Sequence, residues 1–192
     1  MEPIHLFDSY YFREATREEF EPFFREKRPV VFSGSLNIYV EDWLTEDDKK
    51  KQDELFKLIK DRYSLRIFIL KDNEIIGWHL GRQVDQEIYH MSNTGIFKEY
   101  QGKGIYKAFL PKLLSIFKEK GFQKIVSRHH ASNNAVLVPK LKAGFVITGF
   151  EIDERFGIFV VLSYIFNEKR HKAYRFRTGS LMPDEDLKKY LL

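Results

Sequence analysis

Apolar positions recur along this chain with two different periods, and the switches between them outline its elements. Phe20, Phe23 and Phe24 form a stripe at helical spacing, and Thr16 with Glu19 three positions on is a capping box. Together they predict a first helix with Pro22 in its early turns. "PVVF" at 29–32 is a short β-branched run stopped by "SGS", which predicts a strand. Thr45 with Asp48 is a second capping signal, and Leu55, Phe56, Ile59 and Arg62 fall on one face of the helix it opens. "LRIFIL" at 65–70 and "IIGWHLGRQ" at 75–83 flank the turn "KDNE", so they predict a hairpin. "EIYHMSNTGIF" at 87–97 is a third, longer strand, with Gly95 marking a bulge or a close backbone approach.

Helical spacing returns at Ile105, Ala108, Phe109, Leu113, Ile116 and Phe117, with Gly121 as the C-cap and Pro111 placed to bend the helix. "KIVSRHH" at 124–130 reads as a buried strand, and Asn133 or Asn134 caps a helix that closes at Gly144. "FVITGFEI" and "GIFVVLSYIF" are two final strands. Hairpin and meander, then strand–helix–strand–helix, then strands is a mixed α/β (α+β) order. It predicts one central sheet with helices on both faces. The domain spans residues 1–166, and 167–192 is a C-terminal tail, basic and then acidic, with no apolar face until "LKKYLL".

Composition narrows this picture. With 192 residues and 43% hydrophobic content the chain fits one domain with a real core, and 18 Phe and 10 Tyr fill it. There is no cysteine, which excludes disulfides, thiolate metal sites and a cysteine nucleophile. A net charge of +4 is mild, and the one dense basic block is "KRHK" at 169–172. "NEKRHKAYRFR" mixes basic and aromatic residues as RNA-contacting surfaces do, but a solvated or subunit-contacting tail is the favoured reading, so a nucleic-acid partner is disfavoured. "MEPIHLFDSY" lacks a basic segment followed by an apolar one, and no apolar run is long enough to span a membrane. The expectation is a cytoplasmic protein with no membrane partner.

The stretch with the most chemistry is "YQGKGIYKAF", 100–109, where a strand passes through glycines into a helix. Such a junction gathers free N–H groups at the positive end of a helix dipole, and Lys98, Lys103 and Lys107 add charge, so it is either an anion cradle or a plain turn. Neither the P-loop pattern nor the dinucleotide pattern fits it.

In this loop the chain resembles the GNAT superfamily of acyl-CoA-dependent N-acyltransferases, whose loop reads R/Q-x-x-G-x-G/A. Gln101 and Gly104 fill the first two fixed positions, and Tyr106 departs from the third. "NNAVLVPKLKAGF" at 133–145 is similar to the family's second cofactor segment, and "LRIFILKDNEIIGWHL", with Gly77, to its central hairpin. The resemblance runs over residues 65–165. It implies a mostly antiparallel, splayed sheet with acetyl-CoA as co-substrate and no metal. Ile96 backbone groups would bind the pantetheine, and N–H groups of Gln101, Gly102, Lys103, Gly104, Ile105 and Tyr106 the pyrophosphate. Asn133 would touch the cofactor arm. The implied reaction is direct attack of a primary amine, on a small molecule or peptide, upon the thioester within a ternary complex.

The family's acid is a tyrosine in its last helix, and by count that position is Lys140, with Pro139 beside it to kink the helix. Lys140 is therefore a candidate acid, or else an ordinary solvent-facing lysine. Candidates for the base are His129 and His90, with His130 behind them, because histidine titrates near neutrality; each also reads as a structural histidine. His129 and His130 point to opposite faces of a strand, which disfavours a metal site. Asn93 and Ser127 would orient a substrate. Glu41 and Asp42 in "YVEDWL" would face a cationic amine or lie on a surface loop. The rival functions are a non-catalytic acyl-CoA-binding module and a nucleic-acid-binding protein. The acceptor amine, the acyl chain length and a homodimer stay open.

Overall fold

The computed structural model describes residues 2–33, 43–59 and 61–189. The chain opens with a hairpin that the sequence reading missed, β1 (Ile4–Phe7) and β2 (Tyr10–Glu14), turned by Asp8 at φ 44°. The capping box then forms as expected: Thr16 Oγ1 accepts from the Glu19 N–H at 3.2 Å, and Glu19 Oε2 from the Thr16 N–H at 2.9 Å. It opens α1 (Arg17–Val31), which continues through Pro22 and Pro29.

The strand expected at 29–32 is therefore the end of a helix. A four-residue apolar run carries no period of its own. Val31 and Phe32 lie two turns beyond Phe24 on the side of Phe20, Phe23 and Phe24, and all five pack into one cluster around Trp78. Pro29 could not have donated to a strand ladder in any case.

Thr45 and Asp48 cap α2 (Glu46–Ile59) as expected, but Leu55, Phe56 and Ile59 are exposed and no residue of this helix is buried. The hairpin is β3 (Ser64–Lys71) and β4 (Glu74–Gln83), with Asp72 and Asn73 at positive φ in its turn. β5 (Ile88–Ile96) follows. Gly95 is no bulge: a Cβ there would lie 2.5 Å from Trp78 Cζ2, so a side chain, not a backbone, needs the space. The register break between β4 and β5 falls at Ser92.

Then come α3 (Ile105–Glu119), β6 (Lys124–His130), α4 (Asn134–Lys142), β7 (Val146–Asp153) and β8 (Gly157–Ile165). Residues beyond them form α5 (Glu168–Arg177) and α6 (Glu185–Lys188). Two Arg170–Glu87 hydrogen bonds, at 2.6 and 3.0 Å, tie α5 to the start of β5, and Leu187 is buried. No helix of the described residues is long and apolar enough to cross a membrane.

The eight strands make one sheet in the order β1-β2-β3-β4-β5-β6-β8-β7. Every pairing is antiparallel except β5 with β6. Alternation along the strands divides the core: Ile67 and Ile69 face the α3 cluster, while Phe68 and Leu70 face the α1 cluster. Helices therefore cover both faces, and the sheet is the splayed, mostly antiparallel one expected. The splay is visible in the register. β5 and β6 pair from Ile88↔Lys124 to Met91↔Ser127 and no further, although β5 runs on to Ile96 and β6 to His130.

Candidate active site

Where β5 and β6 part, backbone groups lose their ladder partners and a cavity of about 420 Å³ opens. Its walls come from the free ends of both strands, the start and middle of α4, the end of α1, and Phe156 just before β8 with Phe159 at its start. The backbone of Ile96 is aimed at the gap. The Phe97 N–H bonds to Ile76 O, so by ladder alternation Ile96 turns its own N–H and C=O away from β4. Gln101 Nε2 donates to Ile96 O at 2.8 Å, which ties the glycine loop to the strand end and leaves the Ile96 N–H as the donor there.

Gly102 (φ 77°) and Gly104 (φ 80°) hold the loop in the left-handed region, where side chains are strained. The first bond of α3 runs from the Ala108 N–H to Gly104 O. The N–H groups of Ile105, Tyr106 and Lys107 precede it and form the donor set that a helix start leaves unpaired. Tyr106 lines the cavity, and its ring packs on the α3 core cluster, with burial raising its hydroxyl pKa. The ring thus points inward while the backbone stays at the helix start. Asn133 is the N-cap of α4 and also lines the cavity, but its side chain makes no capping bond.

Lys140 does not face solvent. It is 1% exposed, and the reason is helical period: Leu137 and Lys140, three apart, are the buried residues of α4. Lys140 Nζ donates to Ser127 Oγ at 2.7 Å, lies 3.4 Å from Met91 Sδ, and sits 4.8 Å from the centre of the Phe145 ring. No carboxylate offsets its burial, which pushes Lys140 down to about 7. His129 shares the same hydroxyl, with Nε2 3.1 Å from Ser127 Oγ. Burial, and then the Lys140 charge, holds His129 down at about 3, so its imidazole is neutral.

The other histidines are placed differently. His90 is not among the residues that line the cavity; its Nδ1 lies 3.2 Å from Ser92 Oγ, and burial followed by Arg128 and Arg82 holds it at about 4. His130 is on the cavity, its ring centred 5.0 Å from that of Phe159. Asn93 Oδ1 accepts from Trp78 Nε1–H at 2.8 Å, which fixes that amide on the wall. Ser127 is fully buried between its two partners.

Two residues went unnoticed in the sequence. Arg28 lines the cavity from the last turn of α1, hidden by the expected strand at 29–32. His79 is fully buried, 2.8 Å from Thr94 Oγ1 and 3.2 Å from Tyr89 Oη, and burial pushes it down to about 3. Glu41 and Asp42 lie outside the described residues. Among the described residues lining the cavity none is acidic, and no three of His, Asp or Glu gather as a metal site would need.

The sequence profile of the acetyltransferase (GNAT) family matches residues 10–145. No curated protein matches the chain. Solved structures resemble it in fold. A GNAT family acetyltransferase from Elizabethkingia anophelis with acetyl-CoA bound is 18% identical, with a TM-score of 0.58 over 83% of this chain and 100% of its own. The ribosomal-protein-S5-alanine acetyltransferase from Vibrio fischeri is 18% identical, with a TM-score of 0.62 over 86% and 97%. YncA from Salmonella typhimurium with acetyl-CoA is 14% identical, with a TM-score of 0.59 over 84% and 96%.

Proposed function

Because the chain belongs to the acetyltransferase (GNAT) family, we propose that it transfers an acetyl group from acetyl-CoA to a primary amine, with Lys140 protonating the departing thiolate. The residues present suit this co-substrate. The helix-start donors of Ile105, Tyr106 and Lys107, with Lys98, Lys103 and Lys107 nearby, suit a pyrophosphate. The Ile96 N–H and the unpaired end of β5 suit the amides of a pantetheine arm.

Acetyl-CoA supplies an activated acyl group when bound. The protein then has to remove a proton from the amine and give one to the sulfur. His129 is neutral on the cavity wall and can receive the first. Lys140, near 7, exists in both forms at neutral pH, so it can both take up a proton and deliver one. Backbone N–H groups freed by the splay can stabilise charge developing on the acyl oxygen. The acceptor reacts as the free amine, since only an unprotonated nitrogen has the electron pair to attack the thioester.

The observation that carries this reading is Lys140, a buried lysine without a counter-ion at the mouth of the splay. Titration calorimetry with acetyl-CoA, followed by thiol release against an amine panel, tests it. The panel includes peptide α-amines, since the Vibrio fischeri neighbour is named for a protein alanine. Binding with turnover is expected. Absence of binding at millimolar ligand would sink the proposal, and binding without turnover on any amine would leave a non-catalytic acyl-CoA module in its place.

A further inference from the structure

Three polar atoms stand in a row beside the cavity. Ser127 Oγ is 3.1 Å from His129 Nε2 on one side and 2.7 Å from Lys140 Nζ on the other. His129 and Lys140 both line the cavity, whereas Ser127 lies behind them and is fully buried. Ser127 also pairs with Met91 at the last rung before β5 and β6 part, so its position is fixed by the sheet. A hydroxyl can donate one hydrogen bond while accepting another, which lets Ser127 pass a proton in either direction between its two neighbours.

We propose that Ser127 is a relay residue that returns the proton taken from the acceptor amine to the sulfur of the leaving thiol. The inference rests on the acyl-transfer reading above. The acceptor nitrogen forms the new C–N bond as the C–S bond breaks, and its proton goes to His129 Nδ1. The Nε2 proton of His129 moves to Ser127 Oγ, the hydroxyl proton of Ser127 moves to neutral Lys140 Nζ, and Lys140 gives one proton to the thiolate sulfur. Lys140 and Ser127 end with the protons they began with, while His129 ends with its proton on Nδ1 and has to return to the Nε2–H form before the next turnover. The relay requires His129 to carry its proton on Nε2 when Lys140 is neutral. When Lys140 is an ammonium it donates to Ser127, which must then donate to His129 Nε2, and the His129 proton shifts to Nδ1. His79 on β4, His90 on β5, and Arg128 and His130 on β6 are the other titratable or charged groups around the row, and Phe145 covers Lys140.

The test is nitrogen-15 NMR of the histidine rings alongside the Lys140 ε-carbon resonance, followed through pH in the ligand-free protein. In the wild type the two His129 nitrogens should exchange character at the pH where Lys140 titrates. In Ser127→Ala the Lys140 titration should persist while His129 keeps one tautomer throughout, and Ser127→Thr should restore the exchange. Turnover supplies a second readout: Ser127→Ala should lose about a hundredfold in kcat while KM for acetyl-CoA stays within about threefold. A His129 tautomer that ignores Lys140 in the wild type, or follows it in Ser127→Ala, overturns the relay even if calorimetry shows coenzyme A binding. A wild-type protein that gives no heat with coenzyme A overturns the acyl-transfer reading and takes the relay with it.

Discussion

A lysine withdrawn from water without a carboxylate partner keeps its charge only at a cost to the fold, and Lys140 makes that cost measurable. Burial lowers it from 10.5 to about 7. Between those values the unfolded chain binds the extra proton and the folded one does not, so this residue's contribution makes stability rise from pH 7 towards 10.5. Below pH 7 the full cost, roughly 5 kcal/mol, is present. Lys140→Met should therefore stabilise the protein by several kcal/mol at pH 6 and by little at pH 10.5, as read by urea denaturation, while turnover falls about a hundredfold. A gain independent of pH would mean that Lys140 does not titrate within the fold. Gly104 presents a different problem. Nothing stands within 4 Å of where its Cβ would be, so the protein does not crowd a side chain there, and the constraint is φ 80°. Gly104→Val should cost about 1–2 kcal/mol of stability, and Gly104→Asn clearly less, because asparagine tolerates the left-handed region. If both variants bind coenzyme A as tightly as the wild type by calorimetry, the loop is a turn and not a phosphate cradle.

Among the elements, β4 and β5 position the site through one close contact. Gly95 lies opposite Trp78, and the indole occupies the space a Cβ would need. The same indole donates to Asn93 on the cavity wall, and β5 ends three residues later at Ile96. Gly95→Ala should push the ring aside, cost about 1–3 kcal/mol, and weaken coenzyme A binding as well. Denaturation and calorimetry on the same sample check the link, and a stability loss with unchanged affinity would break it. This contact also shows what the sequence could and could not reveal. Gly95 was legible as a place of close approach, but not that the neighbour was the indole of Trp78 opposite it on the adjacent strand. Both helix caps were legible because a cap is a local pattern of residues three apart, as Thr16–Glu19 and Thr45–Asp48 are. The run at 29–32 was not, since its choice between helix and strand was made by tertiary contact with Trp78. β1 and β2 were missed because two short strands around a turn carry too few alternations. At the site, the family resemblance pointed to Lys140, and residue type on a central strand pointed to His129. Their meeting through Ser127 depends on how α4 packs against β6, and no spacing encodes that.

For the molecule as a whole, buried ionisable groups without counter-ions predict a stability profile tilted towards alkaline pH. His79, His129 and His90 are pushed from 6.5 to about 3, 3 and 4, in each case chiefly by burial. Below pH 6.5 the unfolded chain gains protons at these residues while the folded chain stays neutral, so stability falls as pH drops towards 4. Each histidine then contributes a slope of up to about 1.4 kcal/mol per pH unit, or about 2 kcal/mol lost by pH 5. Three such losses would consume much of the roughly 5–15 kcal/mol that holds a domain together. Lys140 extends the rise above pH 7. Tyr63, Tyr89 and Tyr106 end it, because burial raises their pKa values, and above pH 10 the unfolded chain ionises where the folded one does not. The urea midpoint should accordingly climb from pH 5 to a maximum near pH 9–10 and then decline. His79→Gln, which keeps a polar side chain beside Thr94 and Tyr89, should remove about a third of the acid slope, since His90 and His129 still contribute theirs. A midpoint that is flat between pH 5 and pH 7 in the wild type would show that these histidines reach water in the folded protein, and that the cavity between β5 and β6 is far wetter than its packing implies.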